Sequence, residues 1–116
     1  MVKRGRDPAK GFWAFPGGYL DWDETTEGCA ARELKEETGY TAKKVTFFKA
    51  YSSPERDPDG RQNVDNCFIA EVGGKNGSYD KEETAEMKWF PIDRLPEKIA
   101  FDHGMMIEEY LKSKVK

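Results

Sequence analysis

Histidine occurs once and cysteine twice in this chain of 116 residues, which leaves little material for soft-metal or thiol chemistry. Cys29 and Cys67 lie far apart and lack the paired spacing of a zinc site or a redox motif, so both are expected to be reduced core thiols. Long apolar runs are also missing, and none could span a bilayer. The opening Met1-Val2-Lys3-Arg4-Gly5-Arg6 has no apolar stretch of the secretory kind, so the expectation is a cytoplasmic protein with no membrane partner. A large charge of one sign is absent too. With 19 basic and 22 acidic residues and a net charge of −3, no general field draws in a nucleic acid polymer, and a phosphate ligand would need a local cation.

What is present describes one folded unit. Charged residues make up 35% and aromatics 13% of the chain, and mean hydropathy is −0.86, a heavily solvated surface around one core. The length suits a single domain over residues 1–116, large enough to stand without disulfides.

Residues 1–11 are mostly charged and polar, with Val2 as the one apolar strand position. Phe12-Trp13-Ala14-Phe15 reads as a short strand stopped by Pro16-Gly17-Gly18. From Thr25 or Thr26, either a suitable N-cap, to Thr38 the composition is helical, with Gly39 placed to terminate and Ala30, Ala31 and Leu34 as a narrow buried stripe. Residues 41–52 and 64–72 read as two long strands, the second with Val64, Phe68, Ala70 and Val72 on one side at period two. Met87, Trp89, Phe90 and Ile92 suggest a further strand ended by Pro91, and Met106, Ile107, Tyr110 and Leu111 repeat at helical spacing. Strands flanking one helix and closed by another imply an α/β (α+β) sandwich, a mixed β-sheet packed between helices.

The chemistry concentrates on the central helix. Glu33, Glu36 and Glu37 stand at i, i+3 and i+4, on one face, where like charges repel unless a cation lies among them. Solvated glutamates on a helix explain most such runs. Here, however, Arg32 lies eight residues after Glu24 and a two-glycine turn precedes both. Mg²⁺ or Mn²⁺ suits oxygen ligands of this kind and recruits substrate phosphates.

The stretch from Gly18 to Tyr40 resembles the Nudix box, G-x5-E-x7-R-E-U-x-E-E-x-G-U with U apolar. Gly18, Glu24, Arg32, Glu33, Leu34, Glu36, Glu37, Gly39 and Tyr40 fill it. All the fixed letters match, a coincidence of order 10⁻⁷ per starting position at this composition. Tyr40 departs mildly from the usual aliphatic residue. Trp13-Ala14-Phe15-Pro16-Gly17-Gly18 and Trp89-Phe90-Pro91 resemble the flanking strands, so the likeness covers most of the chain from residue 12.

The resemblance implies a loop–helix–loop in which the Gly18 carbonyl and Glu33, Glu36 and Glu37 hold Mg²⁺ or Mn²⁺, while Glu24, Arg32 and Gly39 support the site. It further implies an acidic residue six positions before Trp89. Glu83 stands there, with Glu82 and Glu86 as competitors. Glu33 and Glu83 are the candidates for the base that takes the proton of an attacking water, Glu33 being favoured.

The implied activity is hydrolysis of the diphosphate linkage in a small nucleotide. Ser53-Pro54-Glu55-Arg56-Asp57-Pro58 and Ala100-Phe101-Asp102-His103 resemble segments of ADP-ribose pyrophosphatases, and they point to an ADP-ribose-like substrate. Arg56 is the candidate phosphate ligand, although an Arg–Asp pair within its own turn is as good a reading. Tyr19, like Phe12 and Tyr51, is a candidate for stacking on a base. His103 is expected to cap or pack and stays outside the catalytic set. Alternatives are a sanitising nucleoside triphosphate pyrophosphohydrolase and a non-catalytic nucleotide-sensing module, the latter disfavoured by the full set of carboxylates. Nudix domains usually carry apolar strands before the glycine turn, and here these are expected to be shortened or absent. An uncovered sheet edge would follow, and with it a homodimer.

Overall fold

In a computed structural model, described here for residues 1–56, 60–75, 77–79, 81 and 83–114, five strands and two helices follow one another. They are β1 (Val2–Arg4), β2 (Trp13–Ala14), α1 (Thr26–Thr38), β3 (Tyr40–Tyr51), β4 (Asp65–Lys75), β5 (Thr84–Met87) and α2 (His103–Lys114). The strands divide between two sheets, β2-β1-β5 and the hairpin β3-β4, and all of these pairings are antiparallel. A parallel bridge from Trp13 to Ile99 extends the first sheet. The α/β architecture expected from the sequence is present. Asn76 and Glu82, and Asp57 and Pro58 of the loop after β3, lie outside the described residues.

The shortened N-terminal strand takes an unexpected place. β1 is three residues long and runs through the centre of its sheet, with Val2 opposite Ala14 on one side and Met87 on the other. Both of its edges are paired, so the uncovered edge that motivated a homodimer is not at this strand. Val2 alone turns inward, at 3% exposure; backbone pairing, which charged side chains do not prevent, supplies the rest.

Gly39 ends α1 in the left-handed region at φ 80°, and its N–H reaches the Lys35 carbonyl at 2.8 Å. A glycine tolerates that turn without strain. At the other end the Thr25 hydroxyl accepts from the Gly28 N–H at 3.0 Å, the N-cap bond. Within the helix only Thr38 is buried; Ala30, Ala31 and Leu34 are half-buried.

Among the described residues the buried apolar side chains are Val2, Ala14, Tyr51, Ala100, Met106 and Ile107. β1, β2, the end of β3 and the inner face of α2 therefore share one small core. Full burial of a side chain such as Met106 contributes about 1.5–3 kcal/mol. Two strand expectations need correction. Val64 is exposed and stands outside β4, whose ladder ends at the Tyr51–Asp65 pair; further along the hairpin, register shifts at Ala42 and Phe47 break simple alternation. β5 ends at Met87, and the last bonds of its ladder join Lys88 to Met1, at 3.0 and 2.7 Å. Trp89 and Ile92 lie beyond it and are exposed, with the Trp89 indole donating to the Tyr40 hydroxyl at 3.1 Å.

Candidate active site

The turn between β2 and α1 is built around one guanidinium. Arg32 donates to both oxygens of Glu24, at 2.7 and 3.1 Å, a bidentate pair, and also to the Tyr19 carbonyl at 3.1 Å. Glu24 in turn accepts from the Asp21 N–H at 3.0 Å, so loop and helix are tied at two points. The Arg32 hydrogen bond is the leading reason that the Glu24 carboxyl is held at about 2, well under its ordinary 4.5. The same partner raises Arg32.

Arg32 also gathers two of the three helix carboxylates, Glu33 at 2.9 Å and Glu36 at 3.2 Å. Glu33 lies directly on Gly18. A Cβ at that glycine would stand 2.5 Å from Glu33 Oε1 and 2.8 Å from Oε2, so only a residue without a side chain lets the turn approach this carboxylate. Cys29 Sγ faces the Gly18 and Tyr19 carbonyls at 3.9 and 3.6 Å. Both cysteines are free and half-buried.

Glu37 has a different environment. The Gly17 N–H donates to its Oε2 at 2.6 Å, yet its carboxyl is pushed up to about 8, first by burial and then by the neighbouring negative charge of Glu33 and Glu83. Carboxylates that raise one another in this way are relieved by a cation placed among them. The donor set, all hard oxygen, fits a small divalent ion. Glu83, just before β5, sits within electrostatic reach of Glu37 and pairs with Arg6 at 3.2 Å. Of the sequence-selected residues, Gly18, Glu24, Arg32, Glu33, Glu36, Glu37 and Glu83 thus share one region. Tyr19 adjoins it with its ring 77% exposed, while Gly39 stands at the far end of the helix.

Arg56 belongs to another cluster. Its guanidinium pairs bidentately with Asp102, at 2.9 and 3.0 Å, and with Asp65 at 3.2 Å, and it donates to Asn63 Oδ1. Asp102 lies 46 residues away on a distant segment, and Asp57, the acid of the Arg56 turn, lies outside the described residues. The Arg56 side chain is 11% exposed and borders a cavity together with Tyr51, Ser53, Glu55 and Met105. Asp65, Asp102 and His103 bring ligand atoms within 4.8 Å of one another, and both aspartates are paired with Arg56. His103 is the residue that sequence reasoning set aside and the structure brings forward: its ring stacks on Phe15 at 4.6 Å, and its Nδ1 accepts from the Phe15 N–H at 2.9 Å. The Ala100-Phe101-Asp102-His103 segment was the available signal. Among the described residues no helix is long and apolar enough to cross a membrane.

Comparison with known proteins agrees with this geometry. The NUDIX domain matches residues 1–110. An ADP-ribose pyrophosphatase of Methanocaldococcus jannaschii is 41% identical over 115 residues, 98% of this chain and 66% of that protein. A putative 8-oxo-dGTP diphosphatase of Bacillus subtilis is 35% identical over 83% of this chain and 59% of its own length. The chain therefore spans two thirds or less of these curated relatives. Among solved structures, the NUDIX domain of Shewanella oneidensis NrtR complexed with ADP ribose superposes with a TM-score of 0.79 at 26% identity, over 97% of this chain and 74% of that one. With the domain matched along nearly its whole length and every fixed position of the box occupied, this chain belongs to the Nudix family.

Proposed function

We propose that this domain is a pyrophosphohydrolase that uses a divalent cation, Mg²⁺ or Mn²⁺, to cleave the diphosphate linkage of ADP-ribose or a similar nucleoside diphosphate derivative. The observation that carries the reading is the placement of Glu33 and Glu37 against the Gly17-Gly18 turn, with Arg32 holding Glu36 beside them and pairing with Glu24 to fix the helix to that turn. Glu33, Glu36, Glu37 and the Gly18 carbonyl would hold the cation. When bound, such an ion neutralises charge developing on the bridging oxygens and lowers the pKa of water.

The chain's own residues supply position and proton transfer. Arg32 fixes Glu33 and Glu36 so that the carboxylates need not reorganise during reaction. Glu33 takes the proton of the attacking water, and Glu83, within electrostatic reach of Glu37, stands as the second acceptor. Tyr19, exposed on the turn, offers a face for a base.

The substrate reading rests on the M. jannaschii relative, similar over almost the whole chain; the B. subtilis relative supplies the rival, a damaged nucleoside triphosphate. Steady-state kinetics with Mg²⁺ on ADP-ribose, 8-oxo-dGTP and ordinary triphosphates separates them. ADP-ribose should lead in kcat/KM. A triphosphate preferred by about tenfold, roughly 1.4 kcal/mol in transition-state free energy, transfers the assignment to the sanitising class. Absence of turnover on all of them would favour a sensing module.

A further inference from the structure

β2 is held on both edges, but one edge runs out of backbone. Towards the chain that leads into α2, the Trp13 N–H donates to the Lys98 carbonyl at 2.8 Å and the Ala100 N–H donates to the Trp13 carbonyl at 2.7 Å. The next donor on that side is the Phe15 N–H, two residues along. There the partner segment has already turned away, with Phe101 at φ 55° and α2 beginning at His103. The imidazole takes the place of the missing carbonyl: Nδ1 accepts from Phe15 N–H at 2.9 Å, and the ring lies on the Phe15 ring at an interplanar angle of 10°.

Two residues further on, the Gly17 N–H meets Glu37 Oε2 at 2.6 Å. Pro16 between them has no N–H of its own and a fixed φ. The segment is thus pinned at Phe15 by His103 and at Gly17 by Glu37, with a stiff residue in the middle. Resting on the assignment of the box as the catalytic site, we propose that His103 is a positioning residue, whose Nδ1 lone pair ends β2 and thereby places the Gly17-Gly18 turn against Glu37 and Glu33.

The bond demands one form of the ring. A neutral imidazole that accepts at Nδ1 carries its proton on Nε2, while an imidazolium has no acceptor at all. Nε2 faces Asp65 Oδ2 at 3.9 Å. The charged groups around the ring are Asp65 of β4 and Asp102, which favour the imidazolium, and Arg56 and Arg4 of β1, which oppose it; burial, at 8% exposure, is the largest influence and keeps His103 below its ordinary value. Neutral pH therefore leaves the acceptor intact, and acid removes it.

Because the chain contains a single histidine, its ring nitrogens are observable by ¹⁵N NMR without assignment. The wild type at pH 7.5 should show an Nε2–H tautomer with an unprotonated Nδ1, and the Phe15 amide should be protected from exchange. An Nδ1–H tautomer or an imidazolium would overturn the proposal, whatever the enzyme's activity. His103→Asn, whose Oδ1 accepts near the Nδ1 position, and His103→Leu then test function. Leucine should lower kcat on ADP-ribose roughly 10- to 100-fold, as misplacement of catalytic groups does, and shift the Gly17 amide resonance; asparagine should restore most of both.

The acid limb of wild-type kcat/KM should contain a step at the His103 pKa read by NMR, beside the step of the catalytic carboxylate, and His103→Asn should lose the first step alone. Equal kcat in wild type and His103→Leu, or an asparagine variant no better than leucine, rejects the positioning role. If the wild type does not cleave ADP-ribose, the functional reading fails separately, and the tautomer together with the Phe15 and Gly17 amides still decides the structural claim.

Discussion

Gly18→Ala should disable the domain while leaving it folded. The added Cβ would stand 2.5 Å from Glu33 Oε1, 2.6 Å from Cδ and 2.8 Å from Oε2, where ordinary contact begins at 3.4 Å, so the carboxylate must retreat by roughly 1 Å. Glu33 is the flexible end of a long side chain, so the retreat costs the fold under about 1 kcal/mol. Catalysis is less forgiving. A 1 Å misplacement is worth about a hundredfold, close to 2.7 kcal/mol of activation free energy. Gly17→Ala is the matched control, since a Cβ there meets nothing within 4 Å and its N–H remains available to Glu37. The assay is kcat for ADP-ribose with saturating Mg²⁺, beside urea midpoints of both variants. Equal kcat in the two alanine variants would refute the claim that the Gly18–Glu33 approach matters.

Two further predictions concern pH. Glu24 is lowered from 4.5 to about 2, so its contribution to stability is complete above pH 4.5 and is lost as the pH falls towards 2; Glu24→Gln should flatten the urea midpoint over that window, and an unchanged acid limb would contradict the Arg32–Glu24 lock. Glu37 is raised from 4.5 to about 8, so the folded state holds a proton that the unfolded state releases, and stability in EDTA should decline as pH rises from 4.5 to 8. Glu37→Gln should abolish that decline, and parallel melting curves for the two proteins across the range would show the carboxylate to be unperturbed.

Local signals were the legible part. Thr25, Gly39 and the run of box residues lie within a few turns of one another, so caps and spacing define α1 and its carboxylate face before any tertiary contact is known. β1 was harder to read because its place depends on backbone pairing with residues 13–14 and 84–87, which a charged sequence does not advertise. The end of β5 followed the same logic, since an apolar run does not show where its backbone pairing stops. The pairing of Arg56 with Asp102 was not legible, because the two stand 46 residues apart. His103 was expected to cap or pack, and the Ala100-Phe101-Asp102-His103 segment marked it, but its bond to Phe15 crosses 88 residues and could not be read locally.

The central claim is that the box glutamates hold a cation on which diphosphate cleavage depends, and Glu36→Gln tests it most directly. Mn²⁺ affinity by titration and ADP-ribose turnover should be measured on the same samples of wild type and variant, with circular dichroism confirming the fold. The account predicts that the wild type binds Mn²⁺ and turns over, while Glu36→Gln keeps its spectrum, binds the ion more weakly and loses activity by orders of magnitude, with incomplete recovery at high Mg²⁺. Full turnover in Glu36→Gln at ordinary Mg²⁺ would contradict it.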